Sequence, residues 1–299
     1  MLDVVIIGSG PAGITAAIYA KRANLNVAVV EKEYLGTGQI AESSRVDHYP
    51  GIPGIDGYSL GEKFREHAES LGVEFTEAQV LSLGQKDGIW IIGCDEDITL
   101  ESKAVIYATG CKNRPLGVPG EEKYYGRGLS FCAVCDGAFY KGKRVAVIGG
   151  GDTALDDAMY LSDICEKVYL VHRREFFRGS ASTLEKLKQK ENVEIIVNVR
   201  VEEITGDKKI DGIILDNKTK LNISGLFAAV GMIPQTELLK EFGVLDESNY
   251  VKASEDTKTT VNGLFAAGDV RTKQLRQVVT AAADGANAIY SVMEYLRNI

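Results

Sequence analysis

Residues 4–13, VVIIGSGPAG, place a short apolar run directly before the pattern G-x-G-x-x-G. The run is typical of a buried parallel strand, and an alanine-rich, helix-like segment follows over 14–23. A second apolar run, 27–30, ends at an acid that can accept from a ribose hydroxyl. A plain glycine-rich turn would not explain this context. The segment predicts a dinucleotide site, with the pyrophosphate at the helix start, formed by Gly8, Gly10, Pro11, Ala12, Gly13 and Glu31.

The same pattern recurs in the second half of the chain. An apolar run over 145–148 leads into GGGDTA, and a strand-like run over 168–171 ends at His172. Twenty-three positions separate Gly8 from Glu31, and the same number separates Gly149 from His172. The spacing indicates an internal repeat. It predicts a second dinucleotide site, formed by Gly149, Gly151, Asp152, Thr153 and Ala154.

The two predicted sites differ at the end of their second strand. Glu31 suits a free ribose 2′-hydroxyl, whereas His172, Arg173 and Arg174, followed by Arg178, stand in the second site. Arginines bind a 2′-phosphate through charge-assisted hydrogen bonds, and an acid would repel it. The second site is therefore interpreted as specific for NADP rather than NAD. A solvated basic patch is the alternative.

Composition excludes several classes of protein. The chain has 299 residues, 45% of them hydrophobic, and a net charge of −8 without a basic block, which argues against nucleic acid or a membrane surface as partner. No apolar run approaches the roughly 18 residues of a membrane helix, and the N-terminus lacks the basic region of a signal peptide. We expect a cytoplasmic protein of about two domains.

Five cysteines are present, and two of them form the motif C-x-x-C. Cys132 and Cys135 can close a small redox disulfide. A zinc site would need four ligands, but no second C-x-x-C exists and the histidines are distant in sequence, so no metal is expected. Asp136 could deliver a proton to a leaving thiolate, or satisfy backbone N–H groups as an acid near a helix N-terminus.

Three further segments resemble strands that end in small-residue turns: 104–110, 226–231 and 263–269. A carboxylate at Asp269 can accept from a polyol hydroxyl of a bound cofactor, and Gly110 ends the first of these turns. The other cysteines are Cys94, Cys111, which adjoins a turn near the expected cofactor, and Cys165. We expect these three to be buried, unreactive thiols.

The chain resembles the low-molecular-weight bacterial-type NADPH-dependent thioredoxin reductases over essentially its whole length. The resemblance rests on the order and spacing of the glycine turns, the C-x-x-C-D-G motif, the arginine cluster and Gly268-Asp269. The resemblance implies an α/β fold with two Rossmann-like domains, the NADPH domain being inserted into the FAD domain. It also implies FAD and NADPH as cofactors, a homodimer, and thioredoxin as substrate.

The chain order fits an insertion. We expect the FAD domain at 1–113 and 242–299 and the NADPH domain, with the cysteine pair, at 114–241. Two short crossings would form a hinge. If the resemblance holds, the nicotinamide and the cysteine pair take turns at the flavin by domain rotation.

Residue roles also follow from the resemblance. Cys135 would face the flavin, Cys132 would attack the substrate disulfide, and Asp136 would exchange the proton. Gln39, His48, Gln277 and Val278 would lie near the flavin. The chain departs from the family pattern at Thr37 and at His48, and a histidine there could still donate to the flavin O4, with a charge that varies with pH.

The resemblance leaves other electron acceptors open. Relatives reduce a peroxiredoxin system, ferredoxin or small-molecule disulfides. Ferredoxin-reducing relatives lack the C-x-x-C and the arginine cluster, and peroxide-linked ones usually carry an N-terminal extension, whereas this fingerprint starts at residue 4. A non-catalytic flavoprotein sensor of NADPH is disfavoured by the intact C-x-x-C-D. Reduction of another protein or small-molecule disulfide stays open.

Overall fold

The computed structural model describes residues 1–33, 38–43 and 45–299. The first part of the chain forms β1 (Leu2–Ile7), α1 (Pro11–Arg22), β2 (Val27–Glu31), α2 (Gly57–Ser70), β3 (Glu74–Glu77), β4 (Val80–Lys86), β5 (Ile89–Cys94), β6 (Thr99–Tyr107) and β7 (Cys111–Asn113). The middle part forms β8 (Leu129–Ser130), α3 (Ala133–Asp136), β9 (Arg144–Gly149), α4 (Asp152–Ser162), β10 (Lys167–His172), α5 (Ala181–Lys188), β11 (Val193–Val197), β12 (Val201–Thr205), β13 (Gly212–Leu215), β14 (Lys220–Asn222) and β15 (Gly225–Ala229). The last part forms β16 (Met232–Pro234), β17 (Leu264–Ala266) and α6 (Val278–Leu296). Short 3₁₀ helices occupy Gly38–Glu42, Glu121–Tyr124, Gly137–Tyr140, Glu237–Phe242 and Gly268–Val270.

The chain divides into two compact units. The discontinuous unit comprises Met1–Lys112 and Ile233–Ile299, and the inserted unit comprises Asn113–Met232. The sequence prediction placed the second crossing at 241/242, whereas residues 233–241 belong to the discontinuous unit. The physical reason is burial, because Leu239 packs in the same core cluster as Val5 and Trp90 of that unit.

The discontinuous unit is built on a sheet whose parallel strands run in the order β3-β2-β1-β6-β17. Strands β5 and β4 extend the sheet antiparallel from the first half of β6. Alternate side chains of β1 face opposite layers, as the pleat requires. Val4 and Ile6 pack with residues of α1 and α6. Val5 and Ile7 pack with β5 and the 3₁₀ helix 237–242.

The inserted unit repeats this arrangement. Its sheet is parallel throughout, in the order β11-β10-β9-β15-β8. Val145 pairs with Val168, as Val4 pairs with Val27 in the discontinuous unit, so the repeat seen in the sequence is also a repeat in register. The units differ in the chain position of the fifth parallel strand. In the inserted unit this strand, β8, comes before the other four along the chain, whereas in the discontinuous unit β17 comes after them. A three-stranded antiparallel sheet, β12-β13-β14, packs on one face.

The turn after β1 explains the first glycine pattern. Gly8 has φ of +105°, which a side chain rarely adopts, and a Cβ on Gly13 would lie 1.9 Å from the carbonyl oxygen of Gly8. On the other side of α1, a Cβ on Gly285 of α6 would lie 2.2 Å from the carbonyl oxygen of Ala12. Helix α1 is therefore held between the strand turn and α6 by direct backbone contact.

Helix α6 is also tied to the turn that follows β17. Asp284 is buried, and its Oδ2 accepts from the backbone N–H of Gly268 at 2.8 Å, from Arg271 Nε at 2.9 Å and from Lys273 Nζ at 2.9 Å. Its Oδ1 accepts from Arg271 Nη2 at 2.6 Å. One carboxylate thus fixes the path of the backbone on both sides of Asp269.

None of the helices in the described segments has the length and apolar character of a membrane-crossing helix.

Replacing Asp284 by Asn leaves Arg271 and Lys273 buried without a full counter-charge. We expect Asp284→Asn to lower the free energy of unfolding by about 3 kcal/mol, because a stranded buried charge keeps its desolvation penalty. Urea unfolding followed through Trp90, the single tryptophan and a buried residue of the same unit, measures the change.

The matched control is Glu255→Gln. The Glu255 side chain is 89% exposed and lies 3.5 Å from Arg271, so its loss should cost less than about 0.5 kcal/mol. Equal effects of the two substitutions would contradict the role assigned to Asp284.

Candidate functional site

The predicted redox cysteines are bonded to each other. The S–S distance between Cys132 and Cys135 is 2.07 Å. Cys132 caps the four-residue helix α3, and its Sγ accepts from the backbone N–H of Cys135 at 3.2 Å. Both residues are partly exposed, so the disulfide lies at the surface of the inserted unit, where a reductant or a substrate can reach it.

Asp136 ends α3 and adjoins the disulfide in the chain. Its carboxylate makes no cap hydrogen bond to the following 3₁₀ helix. Instead, the Ser130 hydroxyl donates to Asp136 Oδ2 at 2.7 Å and accepts from the N–H of Cys132 at 3.1 Å. No motif in the sequence marks Ser130, although it lies two positions before Cys132.

A second carboxyl group lies beside residues 132–136, which we call the redox segment. Asp157 of α4 is mostly buried, and burial, reinforced by the charge of Asp156, raises its pKa to about 7. The backbone N–H of Ala133, the first residue of α3, acts in the opposite direction. Asp157 therefore changes its charge near neutral pH at the start of the helix that carries the disulfide.

In the discontinuous unit, the predicted residues meet at the carboxyl ends of parallel strands. Gly8, Glu31, Gly110 and Asp269 follow or end β1, β2, β6 and β17, which are neighbours in the sheet. Gly10 caps α1 without a side-chain hydrogen bond, and Pro11 is its first residue, with Ala12 and Gly13 next. The N–H groups at the start of α1 are thus free of a side-chain cap, as pyrophosphate binding requires.

Glu31 is held by a buried arginine. Nη1 of Arg65 forms an ion pair with Glu31 Oε1, and Nε of Arg65 donates to Glu69 at 2.8 Å. The guanidinium lies 4.0 Å from the ring centroid of Phe75. Oε2 of Glu31 is buried and has no hydrogen-bond partner in the described chain. A ribose hydroxyl would satisfy it.

Asp269 presents a second orphaned oxygen at the same edge of the sheet. Its Oδ1 is buried without a partner among the described residues. Burial raises the pKa of Asp269, while Lys273 and Arg276 lower it and Asp284 raises it further. Because buried carboxylate oxygens are costly when unpaired, the oxygens of Glu31 and Asp269 fit the hydroxyl groups of FAD.

The other residues expected near a flavin lie at three separate places along the discontinuous unit. Gln39 lies in the 3₁₀ helix 38–42, and His48 in a bend, where it makes no hydrogen bond to another described residue. Gln277 and Val278 begin α6, with the N–H of Gln277 donating to Thr280 Oγ1 at 3.1 Å. Thr37 falls outside the described residues.

In the inserted unit, the second glycine turn is packed against the basic segment. A Cβ on Gly150 would lie 2.1 Å from Cε1 of His172, so only glycine fits there. The N–H of Arg178 donates to Gly150 O at 2.7 Å, and the N–H of Ser180 donates to Asp152 Oδ1 at 2.7 Å. Gly149 and Ala154 are buried, Gly151 caps α4, and Thr153 is exposed.

This packing places the arginines beside the start of α4. Arg173, Arg174 and Arg178 are exposed, and none of the three is in an ion pair within the described segments. Burial lowers the pKa of His172; the carbonyl of Phe176 partly offsets this, and the arginine charges lower it again. A neutral imidazole beside three exposed arginines and a helix start without a side-chain cap fits the 2′-phosphate and pyrophosphate of NADPH.

The remaining cysteines are free and buried. Burial raises the pKa of Cys94, and it raises the pKa of Cys111 and of Cys165 to about 11. These thiols stay protonated at neutral pH and are poor nucleophiles. Within the described ranges, no group of three or more His, Cys, Asp or Glu side chains is placed to hold a metal ion.

Comparison with known proteins adds an independent finding. The family described as pyridine nucleotide-disulphide oxidoreductase matches residues 2–285. The chain is 39% identical over 303 residues to the "34.2 kDa protein in rubredoxin operon" of Clostridium pasteurianum, covering 99% of this chain and 97% of the relative. It is 38% identical over 305 residues to the thioredoxin reductase of Bacillus subtilis, covering 99% and 95%.

A solved structure gives the same result. The thioredoxin reductase from Streptococcus pyogenes MGAS5005 is 39% identical, with a TM-score of 0.94 over 100% of this chain and 99% of that chain. The expected α/β fold with Rossmann-type domains is confirmed.

The position of Asp157 yields a pH-dependent prediction. A carboxyl whose pKa is higher in the folded than in the unfolded protein destabilises the fold when it is ionised. We expect Asp157→Asn to raise the free energy of unfolding by on the order of 2 kcal/mol at pH 8. The gain should shrink as the pH falls below about 7 and vanish near pH 3, because an unfolded aspartate, with a pKa of about 3.9, is then also protonated. Calorimetric unfolding at several pH values measures it.

Asp156→Asn is the control, because Asp156 is exposed and acts only through its charge. It should give a few tenths of a kcal/mol at most. A gain from Asp157→Asn that is as large at about pH 3 as at pH 8 would refute the assignment.

Proposed function

The chain belongs to the pyridine nucleotide-disulphide oxidoreductase family, and from this premise we propose that it is an NADPH-dependent thioredoxin reductase. It passes electrons from NADPH through FAD to the Cys132–Cys135 disulfide and on to oxidised thioredoxin. The observation that carries the proposal is the partly exposed disulfide with Asp136 beside it, in the same unit as the arginine-bordered glycine turn. A flavoprotein that reduces another protein or small-molecule disulfide is the alternative.

A bound flavin supplies the two-electron chemistry that links a nicotinamide to a disulfide. The chain contributes the thiols. In the reduced pair, the Cys132 thiolate attacks one sulfur of the substrate disulfide, and the displaced sulfur leaves as a thiolate that takes up a proton. Cys135 then attacks Cys132 Sγ, which re-forms the Cys132–Cys135 bond and releases the second substrate thiolate. Asp136 exchanges the proton with the thiols.

The surroundings of the disulfide support a protein substrate. Val134, between the two cysteines, is 56% exposed, and Phe139 in the following 3₁₀ helix is 41% exposed. Exposed apolar side chains so near a disulfide in the chain offer contact area to a folded partner rather than to a small polar disulfide. The proposal includes a cytoplasmic homodimer, which rests on the family resemblance alone.

Cofactor choice is tested by the arginines. We expect the protein to oxidise NADPH in preference to NADH and the Arg173→Ala/Arg174→Ala variant to lose about 100-fold of this preference. The reason is that each charge-assisted hydrogen bond to a 2′-phosphate is worth about 1.5–3 kcal/mol. Steady-state kcat/KM with each nucleotide, with and without oxidised thioredoxin, measures the ratio.

Arg144→Ala serves as control, since Arg144 is an exposed arginine of the same unit that pairs with Glu166 at 3.0 Å. It should leave the nucleotide ratio unchanged. Preference of the parent protein for NADH would refute the NADPH assignment.

The division of labour between the cysteines is tested by Cys135→Ser. We expect the flavin of this variant to be bleached by NADPH as in the parent protein, because the nucleotide sites are intact. Turnover of thioredoxin should fall by at least about 1,000-fold, since no disulfide remains to accept electrons. Stopped-flow absorbance and a coupled thioredoxin assay measure the two steps.

Cys165→Ser, which removes a buried free thiol of the same unit, should change neither step. If Cys135→Ser still reduces a protein disulfide, the roles assigned to Cys132 and Cys135 are wrong. Turnover of a small disulfide without thioredoxin by the parent protein would favour the alternative function.

A further inference from the structure

Ser130 is a buried hydroxyl group to which the proposed reaction gives no role. It ends β8, where it pairs with Phe227 of β15, and only 5% of its surface is exposed. Because this strand belongs to the central sheet of the inserted unit, the Ser130 side chain is presented to the redox segment from a rigid element rather than from a loop.

The hydroxyl oxygen contacts three groups of the redox segment. Oγ of Ser130 lies 2.7 Å from Oδ2 of Asp136 and 3.1 Å from the backbone N of Cys132. It also lies 3.3 Å from the carbonyl oxygen of Cys132. The N–H of Cys132 donates to Oγ. A serine hydroxyl carries one proton, so it can donate to Asp136 or to the Cys132 carbonyl, but not to both at once.

The charge of Asp136 decides between these two states. An ionised carboxylate is an acceptor only, so the Ser130 proton points at Asp136, which is also the nearer oxygen. A protonated Asp136 becomes a donor, and Oγ of Ser130 has a lone pair left to accept from it. The Ser130 proton is then free to turn to the carbonyl oxygen of Cys132.

We propose that Ser130 is a positioning residue of the redox centre, which holds the Asp136 carboxylate and transmits its protonation state to the backbone of Cys132. The inference rests on the proposed function for its purpose, because disulfide reduction needs a proton beside the leaving thiolate. Ser130 acts through Asp136 and contacts no substrate itself.

Other titratable groups face the same segment and must be separated from Asp136. Tyr140 follows in the 3₁₀ helix, and burial and the charge of Asp136 raise its pKa, so it is neutral at and below neutral pH. On α4, Asp157 changes its charge near pH 7, and Asp156 lies beside it. The test is therefore made in the flavin-loaded protein carrying Asp157→Asn.

The experiment is an infrared titration of the Asp136 carboxylate, identified by the band that Asp136→Asn removes. We expect Ser130→Ala to move the titration midpoint upward by about 0.7 pH unit, because the ionised carboxylate loses a hydrogen bond. The pH dependence of the Cys132–Cys135 thiol–disulfide equilibrium in a dithiol buffer should shift in the same direction, and this shift should disappear in the Asp136→Asn background.

A matched pair of nearly equal shape separates the hydroxyl from packing. Ser130→Thr keeps the donor and should keep the parent midpoint, whereas Ser130→Val should shift it as Ser130→Ala does. Ser162→Ala removes another buried hydroxyl of the unit, one that donates to Met159 O at 2.6 Å, and should have no effect. An unshifted midpoint in Ser130→Ala and Ser130→Val, or an equal shift in Ser130→Thr, overturns the proposal.

Neither readout needs a nicotinamide or thioredoxin. A protein that fails to reduce thioredoxin but shows the Ser130-dependent shift would disprove the proposed substrate and leave this inference standing.

Discussion

Direct backbone contact at the first glycine turn is the constraint on which the discontinuous unit depends. Gly13 lets α1 approach the carbonyl of Gly8, and Gly285 lets α6 approach the carbonyl of Ala12, in both cases closer than any side chain allows. This contact places the start of α1 at the carboxyl edge of the sheet. There it lies between β2, which ends in Glu31, and β17, which Asp269 follows. At that edge, two buried carboxylate oxygens have no hydrogen-bond partner among residues 1–33, 38–43 and 45–299, which is costly unless a ligand pairs with them. Under the proposed function, the hydroxyl groups of a bound flavin cofactor would pair with these oxygens.

In the inserted unit, a similar parallel sheet helps to hold the short helix that carries the disulfide. Its redox segment is short, since α3 spans only Ala133–Asp136, and such a helix has little stability of its own. The neighbouring sheet and α4 hold this helix in place. Ser130 bonds the segment from the sheet, and Gly137 brings it close to α4, where a Cβ would lie 2.8 Å from the ring of Tyr160. These contacts hold the segment that carries the partly exposed disulfide against the sheet and α4.

The sequence predicted features whose residues are close together along the chain. The strand–turn–helix patterns, the C-x-x-C pair and the internal repeat depend on local periodicity and spacing, which a single sequence displays. Arg65 was not predicted, because its partner Glu31 is 34 positions away and only the packing of α2 brings them together. The second domain crossing was misplaced for a related reason. No change in composition marks position 232, and the burial of Leu239 becomes visible only when the sheet is formed.

The position of the fifth strand in each sheet has a consequence for biosynthesis. All strands of the inserted unit's central sheet, from β8 to β15, lie within Asn113–Met232, so that core can close as soon as this segment has left the ribosome. The discontinuous unit must wait for β17 and α6, which are synthesised last. Its final strand then pairs with β6 from more than 150 positions away, but a folded insertion shortens the flexible loop that has to close. The architecture thus favours vectorial folding, with the nested unit completed first and the enclosing one last.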